Sequence, residues 1–476
     1  MNYIFTKNIR NTSLTLIIIG ALGLAYGFLS TPSSVSEAQD MVSVSDHKEG
    51  HESPSSDDHD QDVIETHQDD HAIKTSGHNS EGSTEIHQED TTSLTSQHND
   101  KVDSQEHEVD HGEHLLHQLQ NRPWAALYVA ALFFFMIPLG VLAFYAINRA
   151  AQAGWSIVLF RVMEGITGYL LPGSITIFII LVLSVMHLNH LFIWMDPEVV
   201  AHDELIQGKS AYLNTTWFLV RALFYMFGWN IYRYISRKIS ISQDKGDYLK
   251  NHKKNFRLAA GFLVFYIYSE SMMSWDWIMS IDPHWFSTLF GWYVFASMFV
   301  TGITVIALVT IYLKAEGHLD FVNASHIHNL GLFMFGGSVF WAYLWFSQFM
   351  LIWYSNIPEE VTYFITRIED YNLPFFGMLA MNLVFPFLVL MNRDYKRNNF
   401  LIVMAGIIIV LGHYIDVYNM IMPSAVGDQW YFGIPEIGGF MFFMGLFILF
   451  TFKSLEKAPL LASGDPFLGE SKHFHY

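Results

Sequence analysis

Several ionisable side chains lie inside long apolar stretches of this sequence, where a lipid environment would make them costly. Glu270 and Asp276 fall in the apolar stretch 257–281, and Arg221 falls in the stretch 213–235. A charged group at the centre of a bilayer costs roughly 2.5–3.5 kcal/mol on insertion scales. Such residues usually face the interior of a helix bundle or a water-filled path, where they carry protons or pair with other charges. The alternative is a buried carboxylate with a purely structural partner.

Three of the ionisable groups are expected at one level of the membrane. With a rise of about 1.5 Å per residue, Glu270 and His413 each lie ~20 Å from the inner end of their helices, and Arg221 lies ~18 Å from that side. Asp416 follows His413 by three residues and shares its helix face. We interpret these four residues, together with Asp276, as a candidate proton path. The alternative is an Arg221–Glu270 ion pair that only locks the bundle.

A second cluster is expected near the outer membrane interface. His187 and His190 are three residues apart and are predicted to share one face of a helix, and Asp276 falls at nearly the depth of His190. Trp275 and other aromatic residues lie beside them. A histidine that accepts a hydroxyl proton, a carboxylate that orients the hydroxyl and an aromatic wall suit a quinol headgroup. The alternative is interfacial hydrogen bonding without a ligand.

The composition indicates that these residues are held by a membrane protein. The chain has 476 residues, 51% of them hydrophobic, and the apolar residues come in long blocks. An ordinary soluble protein of this length is therefore excluded. The chain has no cysteine, which excludes disulfides and iron–sulfur ligation by its own side chains. We expect no metal site, no covalently bound cofactor and no nucleic-acid partner.

Ten membrane-spanning helices are predicted from the apolar blocks. They cover residues 13–29, 124–147, 169–194, 213–235, 257–281, 286–313, 329–355, 371–391, 400–419 and 433–452. The loops after the third, fifth, seventh and ninth spans share an aromatic or methionine-containing turn followed by proline. This repetition indicates two four-helix bundles, formed by spans 2–5 and 6–9, plus two additional helices. The predicted fold is an all-α integral membrane protein in a lipid bilayer.

The orientation follows from the distribution of basic residues. The segments that would face the cytoplasm hold 19 Lys and Arg residues, and the segments on the opposite side hold six. This asymmetry predicts that both termini are cytoplasmic. The first apolar run, 13–29, follows a short basic segment, which is also the pattern of a cleaved signal peptide. We expect it to be retained as the first helix.

One segment carries the whole net charge of −19. Residues 31–120 hold 22 Asp and Glu, three Lys and 12 of the 23 histidines. They have too few apolar residues to offset the entropy of ordering, so we expect a disordered periplasmic tether. Metal capture by its histidines is the alternative, but their spacing is irregular. The predicted regions are an N-terminal helix (1–30), this segment (31–120), a polytopic domain (121–455) and a cytoplasmic tail (456–476).

Two motifs resemble a known family. They read Trp275-Asp-Trp-Ile-Met-Ser-Ile-Asp-Pro-His-Trp-Phe-Ser-Thr-Leu-Phe-Gly-Trp-Tyr293 and Ser347-Gln-Phe-Met-Leu-Ile-Trp-Tyr-Ser-Asn-Ile-Pro-Glu-Glu360. Both are similar to the NrfD/PsrC-like membrane subunits of alternative complex III, a bacterial quinol:cytochrome c oxidoreductase of the respiratory chain. The resemblance covers roughly residues 120–455. It is greatest to the second of the two such subunits, the ActF type.

The resemblance implies ten helices, two four-helix bundles and a place in the bacterial inner membrane. It also implies partners: a multihaem cytochrome c, an iron–sulfur subunit and a sister NrfD-like subunit. Electron transport would then run through the partners, with a quinol such as menaquinol as substrate and no redox cofactor in this chain. Under this interpretation the chain supports quinol oxidation and proton translocation.

Two other classes of membrane protein remain open. One is a membrane anchor that binds haem b through histidines such as His187 and His413, which would require paired histidines at matched depth on facing helices. The other is an ion- or proton-coupled transporter, which the intramembrane charges and the repeated plan would suit.

Overall fold

The computed structural model of the protein describes residues 3–41 and 96–475. Within these ranges the chain is all-helical, without a β-strand, and forms ten long helical segments. These segments, α1 to α10 in chain order, are Lys7–Leu29, Ser96–Ala150, Gly154–Val185, Thr215–Gln243, Tyr248–Trp277, Phe290–Ala315, Ala324–Ser355, Asn372–Leu390, Asn399–Val426 and Ile434–Leu455. Segment α3 includes two 3-10 turns, Gly154–Leu159 and Thr167–Tyr169, and α8 contains a π-helical turn, Ala380–Val384. Shorter helices lie at 35–41, Ile193–Met195, Pro197–His202, Glu204–Gly208, Met279–Ile281, Pro358–Glu369, Tyr395–Arg397 and Leu468–Lys472.

Eight of the ten long helices in the described part of the chain are long and apolar enough to cross a membrane. They are α1, α2 from Leu115 onward, α3 and α6 to α10. Helices α4 and α5 are 29 and 30 residues long, but charged side chains such as Arg221 and Glu270 place them outside this group. The predicted all-α class is therefore confirmed, with eight helices that can span a membrane.

The acidic segment 31–120 was expected to be disordered, apart from a short helix just before the membrane, and the described residues at both of its ends include helix. The chain is helical at 35–41, and α2 begins at Ser96. The residues just before the apolar part of α2 are mainly Glu, Leu, Gln and His, and several of these are good helix formers that extend an existing helix. Residues 42–95, which hold most of the predicted acidic tether, lie outside the described residues. The described residues 3–31 and 117–475 belong to one unit, the larger of two, and the described residues 32–41 and 96–116 belong to the other.

Helix α6 and the part of α2 from residue 117 onward lie at the centre of the larger unit, and their apolar parts are buried on nearly all sides. They approach each other at two glycines. A Cβ atom at Gly140 of α2 would lie 2.1 Å from the carbonyl oxygen of Met298, and one at Gly302 of α6 would lie 2.8 Å from the amide nitrogen of Val141. Small residues allow membrane helices to approach this closely. These glycines therefore permit the backbone contact between α2 and α6.

The other helices surround this central pair in two groups. In one group, α3 packs on α4 and α4 packs on α5. Helix α2 joins this group because the Tyr128 hydroxyl donates to the carbonyl of Trp277 at 2.8 Å. In the second group, α6 packs on α7, α7 on α8, α8 on α9 and α9 back on α6. This grouping brings side chains of α4 and α5 together, and those of α6, α7 and α9.

Helix α1 packs along α10 through a second glycine seam. A Cβ atom at Gly23 would lie 2.9 Å from the Cα atom of Gly438. At the same end of α10, Arg122 of α2 makes a buried bidentate pair with Glu436, with distances of 3.0 and 3.1 Å. The first helix thus packs closely against α10.

The segments that connect or follow the helices fall into two sets. The first set, named the predicted outer end, comprises residues 186–214, 278–289, 356–371 and 427–433. The second set, named the predicted inner end, comprises residues 151–153, 244–247, 316–323, 391–398 and 456–475. The C-terminal segment, predicted as a tail, is packed against this inner end: Asp465 pairs with Arg149 at 2.9 Å, and the ring Nε2 of His326 lies 3.0 Å from the carbonyl oxygen of Ser471. One buried ion pair and one hydrogen bond therefore hold this segment against α2 and α7.

Candidate functional site

A bidentate ion pair joins α4 and α5 near the predicted outer end. Asp276, in the last turn of α5, is fully buried. Its carboxylate accepts from Arg221 Nε at 2.8 Å and from Arg221 Nη2 at 2.9 Å, and it accepts from the Tyr225 hydroxyl at 3.2 Å. Paired hydrogen bonds between charged groups are stronger than neutral ones. The guanidinium therefore balances the charge of Asp276 and fixes α4 against α5.

The alternative in which Arg221 pairs with Glu270 is wrong. The depth estimates were taken as good to about one helical turn, or ~5 Å, but the rise from Glu270 to Asp276 is ~9 Å, so the error was larger than that. Helix α4 begins at Thr215, so Arg221 lies less than two turns below the predicted outer end. Helix α5 ends at Trp277, so Asp276 is the carboxylate at that level.

Glu270 is buried in α5 without an ion-pair partner among the described residues. It is 3% exposed, and its Oε1 atom has no hydrogen-bond partner. Two nearby serines bond elsewhere: Ser269 accepts from Trp229 Nε1 at 2.9 Å, and Ser274 donates to the carbonyl of Ser271 at 2.7 Å. Glu270 thus remains a candidate for proton movement but lies apart from the other predicted members.

A second buried carboxylate, Asp416 of α9, accepts hydrogen bonds from two other helices. The Tyr293 and Ser297 hydroxyls of α6 donate to it, the latter at 2.7 Å, and Trp341 Nε1 of α7 donates to it at 2.9 Å. Asp416 has no arginine or lysine within ion-pair distance in the described part of the chain. Its carboxyl group is therefore held by neutral donors and lies beside a histidine.

His413 completes this second cluster. Its Nδ1 atom lies 3.0 Å from the Ser297 hydroxyl and 3.4 Å from Asp416 Oδ2, and Trp341 packs edge-on against its ring. Both His413 and Asp416 are fully buried, and the Nε2 atom of His413 has no hydrogen-bond partner. A carboxylate and an imidazole in one hydrogen-bonded network can share a proton. The predicted neighbours His413 and Asp416 are thus brought together, whereas neither Arg221 nor Glu270 contacts them.

The prediction that His187 and His190 share a helix face is wrong. Helix α3 ends at Val185, and His187 adopts a left-handed conformation with φ of 57°. The amide of His187 donates to the Ser184 carbonyl and that of Leu188 to the Leu183 carbonyl, which is a helix-ending hydrogen-bond pattern. The end of α3 was missed because such a cap usually contains glycine, and none is present here.

The histidines beyond α3 have neighbours other than Asp276. The ring of His190 packs edge-on against that of His117 at 5.3 Å, and Asn121 donates to the His190 carbonyl at 3.2 Å. Partial burial lowers the pKa of His190 most, and the nearby His117 lowers it further. His187 is exposed. The predicted grouping of these histidines with Asp276 is not found.

An open pocket lies at the predicted outer end beside the Arg221–Asp276 pair. Its volume is about 370 Å³, within the range of roughly 300–1,000 Å³ of small-molecule sites. The lining residues are Gly208, Lys209, Ala211, Tyr212, Leu213, Trp275, Met279, Ser280, Asp282, Pro283, Trp285 and Phe286. Trp275, predicted for a quinol pocket, is among them, and His187 and His190 are not. The guanidinium of Arg221 lies 4.2 Å from the ring of Tyr212, so one wall of the pocket contacts the ion pair.

The rim of the pocket carries charge. Lys209 Nζ donates to the carbonyl of Pro283 at 2.5 Å. Partial burial lowers the pKa of Lys209, although the nearby carboxylates of Asp282 and Asp203 act in the opposite direction. Asp203 lies 2.5 Å from His284 Nε2. The hydrogen bond that Asp203 accepts from the Ile206 amide lowers the pKa of its carboxyl group most. The hydrogen bond with His284 lowers this pKa further. The pocket is therefore apolar inside, with a few polar groups at its mouth.

Several residues of these clusters were missed from the sequence. Tyr225 follows Arg221 by one turn of α4, a spacing that could have identified it. Tyr293 lies inside the first quoted motif but was not assigned a role. Ser297 and Trp341 were missed because neither side chain is ionisable, so neither stands out within an apolar stretch.

No metal-binding group of three or more His, Cys, Asp or Glu is found among the described residues. Models of known protein families do not match the chain, and no curated protein is significantly similar to it. The functional interpretation therefore depends on the two motifs and on the geometry of the pocket and the buried carboxylates.

Proposed function

We propose that this chain is an integral membrane subunit of a respiratory quinol:cytochrome c oxidoreductase of the alternative complex III type, and that it supports quinol oxidation. The observation that carries the proposal is the aromatic pocket of about 370 Å³ beside the Arg221–Asp276 pair. Trp275, which lines the pocket, begins the motif that resembles the NrfD/PsrC-like subunits. Quinol oxidation needs such an apolar pocket near the membrane interface, with polar groups that take up protons.

The pocket supplies binding and orientation, and the electrons leave to partner subunits. A quinol ring can lie among Trp275, Met279 and Phe286, while Asp282 and Ser280 offer hydrogen-bond partners to its hydroxyl groups. The expected partners are a multihaem cytochrome c, an iron–sulfur subunit and a sister NrfD-like subunit. We propose menaquinol or a similar quinol as the substrate.

The proposal includes ten membrane-spanning helices. Helices α4 and α5 are long enough to cross and pack between α3 and α6. Arg221 and Asp276 neutralise each other, which lowers the cost of placing them in lipid. With both termini in the cytoplasm, the predicted outer end faces the periplasm of the bacterial inner membrane.

The orientation predicts that single cysteines at Glu359 and at Lys457 are labelled from opposite sides. Both side chains are exposed, and the natural chain has no cysteine that would interfere. In intact cells an impermeant maleimide should label Glu359→Cys alone, and Lys457→Cys only after the membrane is opened. Labelling of both positions in intact cells would reject this topology.

Filling the pocket is expected to abolish quinol oxidation. Ala211 lines the pocket, so Ala211→Trp should occupy the space of a quinol ring and lower turnover at least about ten-fold while assembly is kept. The matched control is Ala201→Trp, since Ala201 is exposed and does not line the pocket. Turnover and quinone content would be measured on the complex purified from membranes. Normal turnover and quinone content in Ala211→Trp would exclude this pocket.

A proton-coupled transporter is the second candidate, and the buried Glu270 without an ion-pair partner favours it. Proton transport by the isolated chain in vesicles, without haem-bearing partners, would support this class. A haem b anchor suits the positions of the histidines poorly, since His187 is exposed beyond α3 and His413 is held by Ser297 and Asp416.

A further inference from the structure

A small cavity lies between Asp416 and the predicted outer end. It is lined by Tyr293, Trp345, Gln348, Tyr363, Phe364, Arg367, Phe375, Met378, Asn419 and Met420. Its volume is about 10 Å³, which is roughly the smallest volume that holds one water molecule. A buried water usually needs two to four polar partners, so the lining decides whether the space is dry or wet.

Four of the lining residues carry a buried polar atom without a hydrogen-bond partner. They comprise two donors, Arg367 Nη2 and Trp345 Nε1, and two acceptors, Gln348 Oε1 and Asn419 Oδ1. A water molecule can accept two hydrogen bonds and donate two. The set of unpaired atoms therefore matches the bonding capacity of one water, and leaving them all unpaired would cost roughly 1–3 kcal/mol for each.

The unpaired atoms belong to side chains that are already held in place. Arg367 donates through Nε to the Asn419 carbonyl at 3.0 Å and through Nη1 to the Tyr363 carbonyl at 2.8 Å. Asn419 donates through Nδ2 to the Pro374 carbonyl at 3.1 Å. Gln348 is buried on α7. These side chains are too constrained to pair their free atoms by moving to solvent.

The cavity adjoins the second carboxylate cluster. Tyr293 lines the cavity, and its hydroxyl also donates to Asp416. On the other side, Arg367 belongs to the short helix Pro358–Glu369 at the predicted outer end. Tyr363 of the same helix stacks on Trp285, a residue of the open pocket, with ring centroids 4.0 Å apart. The cavity thus lies between the pocket and Asp416.

We propose that one ordered water fills this cavity and that protons reach the Asp416–His413 pair through it. In the transfer, the water turns one hydrogen from the amide oxygen of Gln348 or Asn419 to the Tyr293 hydroxyl and gives it that proton, while Tyr293 gives its own proton to Asp416 Oδ1. The water regains a proton from the outer end, so the pair gains one proton and no electron moves. Asp276 is a less suitable acceptor, because Arg221 already balances its charge. The source of the proton rests on the proposed function, whereas the water and its contacts do not.

The first test is a density map of the full-length protein in lipid that resolves buried waters. We expect one water within hydrogen-bond distance of Arg367 and Gln348. A dry cavity in a map that shows other buried waters would overturn the proposal. This result would leave the quinol pocket untouched, so the failure of the water site and of the proposed function can be told apart.

The second test measures hydrogen–deuterium exchange at Asp416 by infrared spectroscopy, with its carboxyl band identified by its loss in Asp416→Asn. We expect Gln348→Met, which removes an acceptor and fills space, to slow this exchange at least about ten-fold with no loss of helix content. The control is Gln207→Met, at an exposed glutamine of the outer loops. Unchanged exchange in a folded Gln348→Met protein would overturn the route. If that variant does not fold, Trp345→Phe, which removes only the donor, tests the same route.

Discussion

Replacing Arg221 by methionine is expected to lower the free energy of unfolding by about 3 kcal/mol. The substitution leaves the fully buried Asp276 as an uncompensated charge, and loss of one member of a buried pair typically costs roughly 3–5 kcal/mol. We take the lower limit because the Arg221 side chain remains 15% exposed. Asp276→Asn should also destabilise the protein. The measurement is the unfolding midpoint of purified protein in detergent or lipid.

A double-mutant cycle identifies the partner of Arg221. Arg221→Met combined with Asp276→Leu should recover much of the loss, with a coupling energy of about 1–3 kcal/mol. Arg221→Met combined with Glu270→Gln should show losses that add. Coupling to Glu270, or none to Asp276, would contradict the ion pair. Arg10→Met, at an exposed arginine, is the control for loss of a positive charge.

Asp416→Leu is expected to have an even larger effect, because three donors lose their shared acceptor. Tyr293, Ser297 and Trp341 all donate to Asp416, and each buried donor left unpaired costs roughly 1–3 kcal/mol. The variant should therefore accumulate poorly in the membrane. Asp416→Asn keeps one acceptor oxygen and should accumulate better, while losing proton uptake at this pair.

The matched control for Asp416→Leu is Asp428→Leu, at an exposed aspartate shortly after α9. Membrane content of the three variants, measured by quantitative immunoblotting against wild type, checks the prediction. Equal accumulation of Asp416→Leu and Asp428→Leu would show that the hydrogen bonds to Asp416 contribute little.

The sequence predicted the helices better than it predicted their contacts. Long apolar runs identify membrane helices because lipid admits few other structures. The ionisable residues Asp276, His413 and Asp416 were recognised as buried because they interrupt such runs. Their partners depend on helix pairing and rotation, which a depth estimate does not contain. Tyr293 and Asp416, for example, are 123 residues apart in the chain.

The histidines beyond α3 illustrate a different limit. His187 occupies a position that resembles the interior of a helix, and only its left-handed backbone ends α3 there. Trp275 does line a pocket, as predicted, but the second wall of that pocket was predicted wrongly. The short connection 203–213 supplies that wall through Tyr212, and its polar composition gave no reason to connect it with Trp275.

We propose that this chain is a subunit of a quinol-oxidising complex and binds quinol beside Trp275 and Tyr212. The most direct measurement is a density map of the assembly purified from native membranes through a tag on this chain. We predict haem c-bearing and iron–sulfur partners, and quinone density in the pocket between Trp275 and Phe286. A chain that purifies alone, with the pocket filled only by lipid, would contradict the claim.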